Sequence, residues 1–390
     1  MRNLDKLVFR PPHRLMKNLA ILSLLTGIVS FAGLVLAPER GWPNFLLAAQ
    51  YLLGLALAGA VFIAILYVSN AGWATAIRRV PEAMTVMIPV AGAMMVIVLF
   101  GLHRVYDWSH EAAISDPLLR GKSGWLNPAF FSLRTAAYIL VWLAFAVALV
   151  RNSRKQDTTG DLSFTKKNKA LSAAFLVVFG LSFPLASMDW IMSLEPHWYS
   201  TIFGVYAFSG AFLNGLATVA VLVILLRRWG AFQGVVSDST LHDLGKLVFA
   251  FSTFWMYIWF SQYILTWYAN IPEEVVYYVR RERGSWLIFT FVNVLLNWVV
   301  PFVALLPIWT KKHEGVLLRV CMLVMVGHWV DLFWMILPPF MPENAVISLW
   351  ELAPIVSVVS GFFYGVLRVI GSHRLIPEKD PYIIESLSVH

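Results

Sequence analysis

The sequence predicts an all-α polytopic membrane protein with ten transmembrane helices, and three observations predict it. Mean hydropathy is +0.70 and charged residues are 13%, a composition that soluble domains do not show. Ten apolar runs approach the about 20 residues that a spanning helix needs. They lie at 18–37, 45–69, 82–103, 128–150, 170–188, 200–226, 244–269, 285–309, 316–338 and 346–370. The runs lack a barrel's alternation, and backbone in lipid must satisfy its own hydrogen bonds, so they read as helices. The third observation is charge asymmetry. With the N-terminus inside, 22 of the 30 Lys and Arg fall in inner segments and seven in outer ones. This places both termini in the cytoplasm. The net charge of +8 is then a topology signal with some attraction to anionic lipid, and not a nucleic-acid footprint.

The organisation is a basic cytoplasmic lead at 1–17, one membrane domain at 18–370 and a cytoplasmic tail at 371–390. The first run reads as a retained span, being long and without a small-x-small site after it. A short outer turn, Pro38 to Pro43, and a short inner loop ending in Pro81 follow. The third span ends in His103. The outer loop at 104–127 is long, and such loops in compact proteins are covers or partner surfaces. Its Tyr106, Trp108 and Trp125 also suit interfacial aromatics. Arg134 lies well inside the fourth span and is counted on neither side; it either snorkels outward or pairs with an acid. The stretch 151–169 reads as a solvated inner loop. In the sixth span Gly204, Ser209, Gly210 and Gly215 suit close helix packing. The seventh opens with His242, Asp243 and Lys246; the first two fit a helix start at the inner interface, and Lys246 lies deeper. Arg280, Arg281 and Arg283 make a charged outer loop. Asn293 and Asn297 are spaced i,i+4 in the eighth span, and His328 and Asp331 share a face of the ninth. Glu351 begins the tenth.

The stretch from Ser187 to Thr201 stands out. It places Asp189, Glu195 and His197 between two apolar runs, with Trp190, Trp198 and Tyr199 beside them and no Lys or Arg within it. An interfacial turn is the plain reading; ionisable groups near apolar depth point instead to function. Met188-Asp-Trp-Ile-Met-Ser-Leu-Glu-Pro196 also echoes Val330-Asp-Leu-Phe-Trp-Met-Ile-Leu-Pro338. A repeat of spans two to five in spans six to nine would make Asp189 and Asp331 equivalents; chance similarity of aromatic-rich helix ends is the alternative.

The single Cys321 excludes a disulfide within the chain and a thiolate cluster. No Gly-rich phosphate loop, nucleophile elbow or Cys-x-x-Cys-His signature is present. His103 and His328 are the histidines whose depths match for a bis-histidine haem, but no helix carries two His half a membrane apart. What remains is an outer set, His103, Arg134, Asp189, Glu195, His197, His328, Asp331 and Glu351, and an inner set, His242, Asp243 and Lys246. Two sets near opposite faces fit two half-channels or gates for protons.

Met188 to Thr201 resembles the signature of the F-type membrane component of alternative complex III, the bacterial quinol:cytochrome c oxidoreductase. So do Leu244-Gly-Lys-Leu, the segment Phe260 to Glu274, and the outer-loop pieces Tyr106-Asp-Trp and Lys122-Ser-Gly-Trp-Leu-Asn. The resemblance covers roughly residues 80–370, and the family is similar to the polysulfide-reductase, NrfD-like integral membrane proteins. It implies two four-helix bundles, spans 2–5 and 6–9, with two flanking helices. It implies as partners a sister NrfD-like membrane component of the C type, an iron–sulfur protein, cytochrome c subunits and a terminal oxidase. Haem c and iron–sulfur clusters then belong to those partners, and this chain binds no redox cofactor. Quinone (menaquinone) is the ligand the family label implies, with Asp189, His103, Trp190 and Tyr138 as candidate contacts. Three readings follow: a respiratory-complex component lining a proton path with a quinone pocket, a structural scaffold of the same complex, and a secondary transporter built on repeats.

Overall fold

A computed structural model describes residues 9–232 and 234–388. Among the described residues there is no strand, and ten helices are long and apolar enough to cross a membrane. We label them α1 (His13–Leu36), α2 (Pro38–Val68), α3 (Arg79–Phe100), α4 (Pro128–Thr159), α5 (Ser163–Trp190), α6 (Phe203–Arg228), α7 (Asp238–Ala269), α8 (Trp286–Leu305), α9 (Glu314–Ile336) and α10 (Leu349–Ile370). Ten alternating spans put both chain ends on one side, the terminal face; the opposite side is the far face.

Two rings of four helices form. In one, α2 packs on α3 and α5, and α4 closes the ring; in the other, α6 packs on α7 and α9, and α8 closes it. The rings join along α2 and α6, while α1 and α10 pair with each other and lie against α2. Small residues allow the central contact. Gly54 and Ala58 on α2 face Ala211 and Gly215 on α6, two small-xxx-small pairs that bring the backbones together. A Cβ at Gly54 would already stand 3.3 Å from the Ala211 methyl.

Several helix ends differ from those read in the sequence. α2 begins at Pro38, where the sequence suggested a turn running to Pro43, because proline at the first helical position loses no hydrogen bond. α4 continues about two and a half turns beyond its apolar run to Thr159 and stops at Gly160, whose φ of 74° provides a left-handed end. The expected loop at 151–169 is therefore mostly helix with a tight turn. Asp157 pairs with Arg79, and Thr165 donates to Gln156 Oε1 at 2.8 Å, holding that polar extension in place. In α8 the backbone is π-helical over Leu295–Val299, just before Pro301. Pro301 has no N–H to give the Asn297 carbonyl, and that carbonyl accepts Ser252 Oγ from α7 at 2.7 Å instead. The segment after α10 is docked as far as Ser386: Asp380 pairs with Arg78 at 2.6 Å, and Ser386 bonds Ala76 and Trp73.

Candidate functional site

Each ring of four holds a buried carboxylate in the far half of its last helix, and the two are treated differently. Asp189 ends α5 and is 1% exposed. Arg134, two turns into α4, meets it with Nε–Oδ2 at 2.8 Å and Nη2–Oδ1 at 2.9 Å. Trp125 Nε1 donates to Oδ1 at 2.8 Å and Tyr138 Oη to Oδ2 at 3.1 Å. The guanidinium also donates to the Trp125 carbonyl at 3.0 Å and stacks 4.1 Å over its ring. Of the two fates open to Arg134, the structure has the pairing. Trp125 lies in the far loop, so this network fastens that loop to α4 and α5. Tyr106 and Trp108 help, donating to the Trp190 carbonyl and to Ser193 Oγ.

Asp331 in α9 is fully buried, and among the described residues no Lys or Arg is paired with it. Its donors are neutral. Tyr206 from α6 and Asn293 from α8 donate to Oδ1, the latter at 2.9 Å, and Trp255 from α7 donates to Oδ2 at 3.1 Å. The basic group nearest it is His328, one turn earlier, whose Nδ1 is 3.8 Å from Oδ2. That is ion-pair range but too long for a hydrogen bond, and Nδ1 has no other partner. Gly210 on α6 makes room for both: a Cβ there would stand 2.8 Å from Asp331 Oδ2 and 3.2 Å from His328 Nδ1. From Asp331 a polar thread runs inward through Asn293, Asn297 and Ser252. Asn297 is eleven residues into α8, so the thread reaches about 16 Å from the far end, near mid-membrane. A second branch leaves His328 through the Tyr51 ring, 5.6 Å away, to Asn214, whose Nδ2 is unpartnered.

The remaining candidates sit apart from these two acids. Glu195 lies between Arg280, at 2.9 Å, and the fully buried Arg281, at 2.8 Å; Arg281 also donates to the carbonyls of Tyr277, Trp334 and Met335. This joins the loop after α5 to the loop after α7. His197 is exposed and bonds Asp116 Oδ2 at 2.6 Å. That contact, with the Leu118 N–H, holds the Asp116 carboxyl below its usual range. Beside it, Lys122 donates to the Pro196 carbonyl at 2.6 Å, and burial lowers its ammonium pKa. His103 is exposed, bonded to Ser109 Oγ at 2.9 Å, and does not meet His328. Glu351 caps α10: it closes a capping box with Ser348 and is held by Arg40 at 2.7 Å and Asn44 at 3.1 Å. On the terminal side Lys246 is exposed, not deep, and pairs with Asp243 at 2.6 Å; His242 is half-buried, and the cap of α7 is Ser237.

The four quinone candidates do not form one site. Asp189, Trp190 and Tyr138 are close-packed, with the Tyr138 and Trp190 rings edge to face at 5.8 Å, while His103 lies out in the loop. Both Asp189 oxygens are taken, so a quinone reaches the carboxylate only by displacing one of the donors Arg134, Trp125 and Tyr138. These residues do not fit a quinone as they stand. Sequence reading missed Tyr206 and Trp255 as partners of Asp331, and no local signal marks either. Asn293 was signalled only by its i,i+4 spacing with Asn297.

The fold and these networks define an integral membrane protein of ten helices with a compensated acid in one ring and an uncompensated acid in the other. No protein-family profile matches the chain, and no curated protein matches it.

Proposed function

We propose that this chain is an integral membrane subunit of a quinol-oxidising respiratory complex of the bacterial inner membrane, and that its second ring exchanges protons at the Asp331–His328 pair. The observation that carries the proton reading is Asp331 itself: buried, held by neutral donors, and facing an imidazole nitrogen that bonds nothing else. A carboxylate in a low-dielectric interior is costly to keep charged without a cation. A proton passes between the carboxyl and His328 only when the 3.8 Å gap closes to hydrogen-bond length, directly or through one water. The thread through Asn293 and Asn297 offers polar groups inward, and the π-helical turn beside it is of a kind frequent at functional sites.

In this reading quinol oxidation, haem c and iron–sulfur clusters belong to the partner proteins of the complex, among them a sister chain of the same fold. The terminal face is cytoplasmic, as the basic residues favour. A scaffold role is favoured for the other ring, where the Asp189 oxygens are filled by Arg134, Trp125 and Tyr138.

Asp331→Asn in the intact complex tests the proposal. The amide keeps the shape and removes the titrating group. In proteoliposomes the complex should assemble, and quinol-driven proton movement should fall at least about tenfold, the lower end of what a positioned acid–base group contributes being larger still. Normal assembly with normal turnover and acidification would overturn it.

A further inference from the structure

At the terminal face, the outer sides of α3 and α4 part to leave a cleft of about 600 Å³ that the networks above do not use. Its membrane-side wall is apolar: Val86 and Pro89 from α3, and Leu143, Val147 and Val150 from α4. Val86 and Val147 are 41% and 53% exposed, so this wall opens toward lipid. Its terminal-face rim carries Arg151, Arg154 and Lys155. The cleft runs along α4 from Leu143 to Thr158, about 22 Å at 1.5 Å per residue. A second cavity of about 450 Å³ shares Glu82, Arg154, Thr158 and Val369 with it and adds His373 and Arg374.

The charges do not balance within this rim. Arg79 is paired with Glu82 and Asp157, Arg78 with Glu82 and Asp380, and Arg374 with Glu378. Among the described residues no ion pair involves Arg151, Arg154 or Lys155, although they stand side by side at one rim. His373, in the second cavity, is pushed below the ordinary imidazole range chiefly by burial, with Arg154 and Arg79 adding to it.

Three cations outside any ion pair, with the Glu82 carboxylate of the same cleft already paired to Arg78 and Arg79, stand over an apolar slot that opens to the bilayer and match one chemistry. We propose that this cleft binds an anionic phospholipid, with the phosphate on Arg151, Arg154 and Lys155 and one acyl chain along Val86, Pro89, Leu143 and Val147. A basic cluster at the membrane surface attracts anionic headgroups, and the apolar wall adds burial that a free phosphate cannot use. The site is independent of the proton reading, because neither Asp331 nor Asp189 contributes to it.

The test uses the full chain purified in detergent, with bound lipid counted by native mass spectrometry. Phosphatidylglycerol and phosphatidylcholine of the same acyl chains are titrated in parallel. Wild type should prefer phosphatidylglycerol by roughly tenfold or more, given three cations at the rim. Arg151→Gln, Arg154→Gln and Lys155→Gln together should abolish that preference. Val147→Trp, on an exposed wall, should lower retention of phosphatidylglycerol with the rim intact. Inorganic phosphate at the lipid's concentration should not displace it. Equal binding of the two lipids by wild type, preference kept in the triple variant, unchanged retention in Val147→Trp, or displacement by phosphate each overturns the proposal.

Discussion

Replacing Arg134 by Gln isolates the Asp189 charge inside the first ring. In the intact protein the guanidinium gives Asp189 two charge-assisted hydrogen bonds, of 2.8 and 2.9 Å, and lies 4.1 Å over the Trp125 ring. Such a hydrogen bond contributes about 1.5–3 kcal/mol and the ring contact about 0.5–1 kcal/mol. Gln restores at most a neutral bond and leaves a carboxylate with Trp125 and Tyr138 alone. Removing one member of a buried pair costs about 3–5 kcal/mol, a figure that already contains the lost bonds. The expected loss is therefore about 3–5 kcal/mol, roughly two to four powers of ten in the folding equilibrium. Titrating the full chain with SDS in mixed micelles and following tryptophan emission reads it directly. Adding Asp189→Asn to Arg134→Gln removes the stranded charge and should recover about half of the loss. A loss under about 1 kcal/mol for the single variant, or a double variant no more stable than the single, would show that the pair does not fasten this ring.

Three further outcomes are expected. Gly210→Ala pushes a methyl to within 2.8 Å of Asp331 Oδ2, so it should cost about 1–3 kcal/mol and impair proton movement although it changes no titrating group; normal proton uptake in an assembled complex refutes this. The contact of the far loop with His197 should depend on pH through Asp116. Its folded pKa is depressed, so its contribution is present above about pH 4, the unfolded value, and is lost as pH falls through the lower folded value. Hydrogen exchange at 104–127, corrected for intrinsic rate, should rise in that acid window and lose the pH dependence in Asp116→Asn; a flat profile in the parent chain contradicts the assignment. In intact cells a membrane-impermeant thiol reagent should label Ile114→Cys and spare Thr159→Cys, both exposed positions; the reverse pattern inverts the orientation.

The ten spans were legible because each is an apolar run close to membrane length, and lipid leaves the backbone no other regular state. Their ends were less legible where helix continues past the apolar stretch. At 151–159 only Arg151, Arg154, Lys155 and Gln156 are good helix formers, so local propensity did not mark the extension, and Gly160 was the stop signal that mattered. Arg134 was legible as a residue in need of a partner, but the sequence did not select its acid. Glu351 was marked by its charge alone; Ser348-x-x-Glu351 is a capping box that the sequence already contained. The surroundings of Asp331 were not legible. Its donors Tyr206, Trp255 and Asn293 lie 125, 76 and 38 residues away, on three helices, and only their packing joins them.

The echo between the ends of α5 and α9 gains meaning from what stands opposite each acid. Both acids accept an indole, from Trp125 and from Trp255. In each ring the third helix carries an i,i+4 polar pair early in its course, Arg134 and Tyr138 on α4 and Asn293 and Asn297 on α8. In each, the first member of that pair bonds the acid. Arginine at that place makes Asp189 a poor proton site, because protonating it strands a buried guanidinium, which is as costly as stranding the carboxylate. Asparagine at the same place supplies a hydrogen bond without a charge, and leaves Asp331 to share its charge with His328. One exchange of side chain therefore separates the two duties that the proposed function needs: a fixed anchor for the far loop in the first ring, and a carboxyl whose proton is free to move in the second.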